Sequence, residues 1–325
     1  MRRWCLFLLM LAGVGGFTAL VVRNGLGAIA AGIAAIGYGL PAMVAIRLVA
    51  LALAGGGWAL LLRRAGPARL ATCLGLRIIR EAINCLLPVA QVGGDLIGAR
   101  LLARTGIGFE LAGASVLVDL LLQVVTQSLF AALGLILLWQ VAGDTGPARE
   151  AGATLLVAVP ALAGFYLVQR IGLFAALDRA GGWAARRWPV LEPAGRFGLQ
   201  RALDLVYGDR PGLALAMLLH FLAWLVGVAE IKVALAGLGH PSALAECVVL
   251  ESLGQAVRSA GFVVPAALGI QEGGFVVLGA LFGLPAPAAL ALSIAKRLPD
   301  FAVGLPGVAA WQLMEMPRRR TGKPR

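Results

Sequence analysis

Charge is scarce in this chain. Asp, Glu, Lys and Arg together make up 14% of its 325 residues, against about 25% in an average soluble domain. Metal ligands are scarcer still. The two histidines, His220 and His240, have no partner at metal-ligand spacing, and the four cysteines (Cys5, Cys73, Cys85, Cys247) form no CxxC pair. That excludes a zinc site and a disulfide framework. Cysteine reads as a small packing residue here, and His220 as a buried, hydrogen-bonded one. GxxxxGK[ST], HExxH and GxSxG are all missing, so no phosphate-binding loop, metalloprotease helix or nucleophile elbow is present. No cofactor, no metal and no recognised enzymatic site is expected.

Apolar sequence fills the space. The chain is 60% hydrophobic with a mean hydropathy of +0.89, the composition of an integral membrane protein. Its length allows roughly six to eight spans. Net charge is +12, nearly all from arginine beside the apolar runs, which fits anionic lipid headgroups and cytoplasmic anchoring rather than nucleic acid. Full spans are expected at Trp4–Val22, Pro41–Leu62, Leu111–Trp139, Ala151–Gln169, Pro211–Leu235 and Ala286–Met314. The first is read as uncleaved, because its apolar run continues past signal-peptide length with no A-x-A site. Residues 25–37 read as an interfacial helix, and Asp144-Thr145-Gly146-Pro147 as a polar turn. Residues 170–210 interleave Arg170, Arg179, Arg186 and Arg187 with acids, Trp183 and Trp188, a basic amphipathic linker on the cytoplasmic surface. It divides a first half (1–169) from a second (211–316), and 317–325 form a basic tail.

A short pattern occurs once in each half. Pro88 is followed by Gly93, Gly94 and Asp95; Pro265 is followed by Gly269 and Glu272. Each proline precedes an acid by seven residues, and an arginine (Arg80, Arg258) stands about two turns before it. Broken helices at membrane depth survive only where protein buries them or water reaches them. Regions 70–104 and 243–282 therefore read as re-entrant helical hairpins. The arginines put the N-terminus, the 63–69 loop, the 170–210 linker and the C-terminus in the cytoplasm. Threading the spans in that order opens the first hairpin to the cytoplasm and the second to the outside, an inverted repeat. The expected fold is an all-α polytopic integral membrane protein with about six full transmembrane helices plus two oppositely oriented re-entrant hairpins.

Ionisable residues inside spans cost about 2.5–3.5 kcal/mol each at a helix centre, so they mark function by default. The candidate substrate path is Arg80, Glu81, Asn84, Asp95, Arg100, Asp119, Gln123, Arg258, Glu272, Lys296, Arg297 and Asp300. The hairpin breaks are Pro88, Gly93, Gly94, Pro265 and Gly269. Arg77–Glu81 and Lys296–Asp300 are spaced to pair on one helix face. Asp119, Gln123 and Gln127 form a polar stripe, and Glu251, Gln255 and Arg258 share a face. Arg47 has no partner in sequence. Glu230 and Lys232 point to different faces and rank as poorer candidates. The bland alternative is that these charges only neutralise one another and knit the bundle. Asp95 to Arg100 resembles part of the signature of membrane phosphatidyl transferases, but only Asp119 follows nearby, so the metal set that chemistry needs is incomplete.

Pro88, Gly94-Asp95, Arg100 and Asp119, followed by Pro265, Gly269 and Glu272, resemble the motif series of the flippase-like family. That family comprises the transmembrane region of lysylphosphatidylglycerol synthases and their stand-alone relatives. Arg80-Glu81 with Asn84, and Ser293-Ile294-Ala295-Lys296-Arg297 through Pro306-Gly307 to Trp311-Gln312, look like its hopanoid-biosynthesis-associated (HpnL-like) subgroup. The distal motif departs from the family at Ala266, where a glycine usually follows the proline. The 325 residues leave out the soluble aminoacyl-transferase domain, so lysyl transfer from tRNA is not expected. The resemblance implies a non-enzymatic lipid transporter of the bacterial inner membrane. Its substrate would be a hopanoid or phospholipid, and lipid-biosynthesis proteins are possible partners. An intramembrane enzyme modifying a polyprenyl or hopanoid lipid, and a non-transporting scaffold, remain the alternatives.

Overall fold

The computed structural model describes residues 2–66, 69–87, 93–142, 198–261 and 264–316. The expected span 151–169, the turn at 144–147, most of the 170–210 linker, Pro88 and the tail lie outside them. The described residues form eleven helices and no strand: α1 (Arg2–Asn24), α2 (Leu26–Ile36), α3 (Gly39–Leu62), α4 (Leu70–Leu86), α5 (Gly93–Ala103), α6 (Phe109–Ala142), α7 (Leu199–Gly208), α8 (Arg210–Gly237), α9 (Leu244–Ala260), α10 (Ile270–Ala280) and α11 (Ala286–Glu315).

Three of these, α3, α6 and α8, are long and apolar enough to cross a membrane. A fourth span results if α1 and α2 count as one, although they bend by 88° at Gly25, where φ is +83°. α2 is the helix expected at 25–37; it buries Ile29 and Ile36 and packs against α11. At 30 residues, α11 is long enough, about 45 Å, but its middle carries Lys296, Arg297 and Asp300. The two broken regions are helix–break–helix units, and α5 and α10 have 11 residues each. At 1.5 Å per residue each reaches about 16 Å, half the hydrocarbon thickness.

Helix pairing follows a repeated plan. α4 lies on α11 as α9 lies on α6; α5 lies on α6 as α10 lies on α11; α2 meets α11 as α7 meets α6. α3 and α8 pack against each other along their length. The run Gly55-Gly56-Gly57 lets backbones approach α3 on two sides. A Cβ on Gly57 would stand 3.3 Å from the Ala216 carbonyl of α8, and one on Gly55 3.2 Å from the Leu74 Cα of α4. Small residues at such contacts supply the packing that lipid cannot.

Two apolar cores result. One gathers Trp58, Leu62, Leu76, Ile83, Leu102, Val118 and Leu203. The other gathers Met43, Phe130, Ile231, Leu250, Phe275 and Leu292. Each of α3, α6 and α8 contributes to both, so the stretch between is at mid-length: Arg47–Ala54 on α3, Gln123–Gln127 on α6, His220–Gly227 on α8. Arg47, Gln123, Gln127 and His220 stand there.

At one end of the α3–α8 pair, Asp209 caps α8 by accepting from the Gly212 amide at 3.2 Å, with Pro211 in the first turn. The Arg63 guanidinium, at the end of α3, forks onto the same carboxylate, with Nη2 2.8 Å from Oδ1. The two helices are thus antiparallel, and the 63–69 loop lies beside the start of α8. The Arg63 hydrogen bond, with help from the Gly212 amide and against the upward push of burial, holds the Asp209 carboxyl at about 2, below the usual 3.8. A depressed carboxyl stabilises the fold fully above its unfolded value and loses that contribution as pH falls through the folded one. Asp209→Asn keeps a capping side chain and removes the charge. The variant should therefore unfold at a lower temperature than wild type at neutral pH in detergent. The gap should close as pH falls from 3.8 to about 2.

The second break holds a strained turn. Gly269 caps α10 with φ +78°, and Glu272 accepts from its amide at 2.7 Å. Just before it, Ala266 and Ala267 have φ of +54° and +48°, a region that costs an L-residue with a Cβ about 1–2 kcal/mol. The missing glycine of the distal motif falls at Ala266. Ala266→Gly should stabilise the protein by roughly 0.5–1 kcal/mol, after allowing for glycine's freedom in the unfolded chain, read as a higher unfolding temperature.

Candidate functional site

Between the two cores lies a cavity of about 270 Å³. Apolar side chains, among them Leu51, Leu120, Val124 and Trp224, line part of it. The rest is charged or polar: Arg47 from α3, Arg77, Arg80, Glu81 and Asn84 from α4, Asp95 from α5, Gln123 and Gln127 from α6, His220 and Glu230 from α8, and Glu251, Gln255 and Arg258 from α9; Ala266 of the second break borders it too.

Arg80 organises the first wall. It is 1% exposed. Its Nε and Nη2 donate to Asp95 Oδ1 at 2.9 and 2.6 Å, and Nη1 lies 2.8 Å from Asp119 Oδ2. The guanidinium stacks 4.6 Å over the Trp58 ring, whose Nε1 donates to Ser115 Oγ at 3.1 Å. Asn84 ties the hairpin arms together: its Nδ2 donates to Asp95 Oδ2 and its Oδ1 accepts from the Gly94 amide. Glycine is needed for that approach, because a Cβ on Gly94 would strike the Arg80 carbonyl and one on Gly98 the Arg80 stem. Asp119, fully buried, also takes Gln123 Nε2 at 2.8 Å and meets His220 Nε2 at 2.9 Å. Arg77 bridges Glu81 at 3.2 Å and Asp119 at 3.7 Å.

The opposite wall is a chain of shared ions. Lys296 Nζ lies 2.6 Å from Glu251 and 3.0 Å from Glu230. Glu230 meets Arg47 at 3.1 Å, Arg47 reaches Asp300 at 3.6 Å, and Asp300 pairs with Arg258 at 2.9 Å. Gln255 donates to Glu251 at 3.0 Å, and Gln127 to Ser259 Oγ at 2.6 Å. Behind the second break, Arg297 holds Glu272 at 2.8 Å and donates to the Ala266 carbonyl at 2.9 Å.

Arg80, Glu81, Asn84, Asp95, Gln123 and Arg258 thus border the cavity directly, while Asp119, Lys296 and Asp300 pair with residues that do. Glu272 and Arg297 brace the turn carrying Ala266 and do not border it. Arg100 lies elsewhere, 61% exposed, pairing with Glu315 at 3.1 Å near Arg104. The Arg77–Glu81 pair forms as spaced, but Lys296 and Asp300 turn to other helices. Gly93 and Gly94 open α5, Gly269 caps α10, and Pro265 begins a single 3-10 turn. Arg47, Arg77, Gln127, His220, Glu230, Glu251 and Gln255 border the cavity, and Trp58 stacks on Arg80, yet none of these stood in the candidate path. Glu230 is 1% exposed, and an acid inside the long apolar run of α8 was the available signal. Among the described residues no group of His, Cys, Asp and Glu could hold a metal ion.

A polytopic helical membrane protein with a charged cavity between apolar cores is the class that this architecture defines. Residues 6–307 match the family described as the lysylphosphatidylglycerol synthase TM region, and the chain belongs to that family. No curated protein and no solved structure matches it at a comparable level.

Removing one partner from a buried ion set leaves an uncompensated charge, at a cost of about 3–5 kcal/mol. Arg80→Ala would strand both Asp95 and Asp119 and should lower thermal stability by about that much. Arg80→Lys keeps the charge but not the planar fork, so it should recover only part of the loss. Unfolding curves in detergent measure both.

Proposed function

We propose that this protein moves a lipid across the bacterial inner membrane, holding its headgroup in the central cavity while the apolar body stays in the hydrocarbon. One observation carries the reading. The cavity falls at mid-length on all three helices that are long and apolar enough to cross a membrane, so its charges would stand near the bilayer centre. Burying that many ionisable groups there is costly and marks a pathway rather than mere packing. Membership of a family named for a lipid synthase's membrane region supports the same class of substrate.

Two oppositely oriented re-entrant hairpins would form the path. The short arms α5 and α10 support this, as does the repeated helix pairing around the antiparallel α3–α8 pair. So does the second break's position against the middle of α1, where Gly13 meets Val264 and Leu268. With the termini and the 63–69 loop in the cytoplasm, each hairpin opens to one side, and sites at such interfaces serve alternating access. The motifs shared with the hopanoid-associated (HpnL-like) subgroup make a hopanoid or related lipid the first substrate to try.

Liposomes carrying the purified protein and a labelled lipid provide the test. Wild type should speed movement between leaflets. Asp95→Asn weakens the charge-assisted bonds at Arg80, worth about 1.5–3 kcal/mol, and should slow movement on the order of tenfold or more. Glu272→Gln, which loosens the Ala266 turn, should slow it too, with folding checked by gel filtration. If wild type leaves the lipid unmoved, and its deletion removes a lipid species instead of redistributing one, the protein is an enzyme and the transport reading fails.

A further inference from the structure

The ion set around Arg80 is one positive charge short. Among the described residues it holds two cations, Arg77 and Arg80, and three carboxylates, Glu81, Asp95 and Asp119. The facing set is balanced, with Arg47, Arg258 and Lys296 against Glu230, Glu251 and Asp300. Arg297 and Glu272 balance each other. The deficit is thus local to the first wall, and among the described residues the one side chain touching that wall that can change its charge to positive is His220.

The hydrogen bonds decide which ring nitrogen is free. Asp119 Oδ2 pairs with Arg80 and accepts from Gln123, while Oδ1 meets His220 Nε2 2.9 Å away. An ionised carboxylate only accepts, so Nε2 carries a hydrogen and donates. Nδ1 is then the open acceptor of a ring that borders the cavity. Space for the ring comes from Gly57 on α3, whose Cβ would stand 3.1 Å from Nε2. Around the same cavity, α4 presents Arg77, Arg80 and Glu81, α5 presents Asp95, and α6 presents Asp119 through its bond to the ring. α3 presents Arg47, α8 itself Glu230, and α9 Glu251 and Arg258, all from the balanced set.

We propose that His220 is the proton-binding site of this cavity. One proton from cavity water adds to Nδ1, the Nε2 bond to Asp119 stays in place, and the imidazolium closes the charge balance of the first wall. On release the proton returns to water. Uptake and release are coupled to lipid movement, and this coupling clause rests on the transport reading above; the proton site itself does not.

The chain's two histidines make the site directly observable. In full-length protein labelled with 13C,15N-histidine and placed in nanodiscs, His240→Gln assigns the two imidazole signals. His220 should gain one proton as the pH is lowered and keep its Nε2 hydrogen throughout. Asp119→Asn should displace that titration and leave His240 unchanged. In liposomes, an imposed pH gradient should change the wild-type rate of labelled-lipid movement by at least about fivefold. In His220→Gln the ratio of rates with and without the gradient should fall to one, whatever the absolute rate. His220 signals that show no protonation as the pH is lowered overturn the site, as does a cavity titration that persists in His220→Gln and vanishes in Glu81→Gln. A gradient response surviving in His220→Gln overturns the coupling. If His220 titrates but wild type moves no lipid, the transport reading falls together with the coupling, and the proton site stands.

Discussion

Arg80 cannot stand alone between apolar helices. A guanidinium with 1% of its surface exposed must be matched by carboxylates and hydrogen bonds or the helices around it will not associate. Much of the first wall follows from that requirement. Asp95 comes from α5, Asp119 from α6 and the Trp58 face from α3, so one side chain draws four helices to a single point. Gly94 and Gly98 are the counterpart of this demand, since a side chain at either would occupy the space that Arg80 or its backbone fills.

Sharing distinguishes these charges from ordinary interhelical pairs. Lys296 serves two glutamates, Arg47 serves a glutamate and an aspartate, and Asp119 faces two arginines and a histidine. A group held by several partners has alternatives within reach when one partner is drawn to a ligand, so rearrangement need not expose a bare charge. That property suits the proposed role of the cavity, which would accept a polar headgroup and release it. It also ties helices together within the facing wall, because Arg47 joins α3 to α8 and α11 at once.

Much of this was legible in the residue order. Helix boundaries at 39–62, 109–142, 210–237 and 286–315 fall within a few residues of the apolar runs, because a run of that length has few other ways to satisfy its backbone in lipid. The two breaks were visible as proline, glycine and acid at equal spacing. Legible too was the polar stripe on α6, from the four-residue repeat of Asp119, Gln123 and Gln127. Partner choice was not. Lys296 and Asp300 have helical spacing for a mutual pair, yet each is drawn to carboxylates or guanidiniums on other helices. Arg100 reads as a mid-membrane charge, but it follows the short α5 to the molecule's edge and meets Glu315.

The order of residues alone determined that the chain is helical, that it belongs in a membrane, and where its helices break, since those follow from local hydrophobicity and backbone chemistry. Only the packed structure decided which charges meet. Arg47 finds Glu230 across 183 positions and His220 finds Asp119 across 101. The energy of an ion in a low-dielectric interior depends on its distance to every other ion, and sequence spacing carries that information only within one helix.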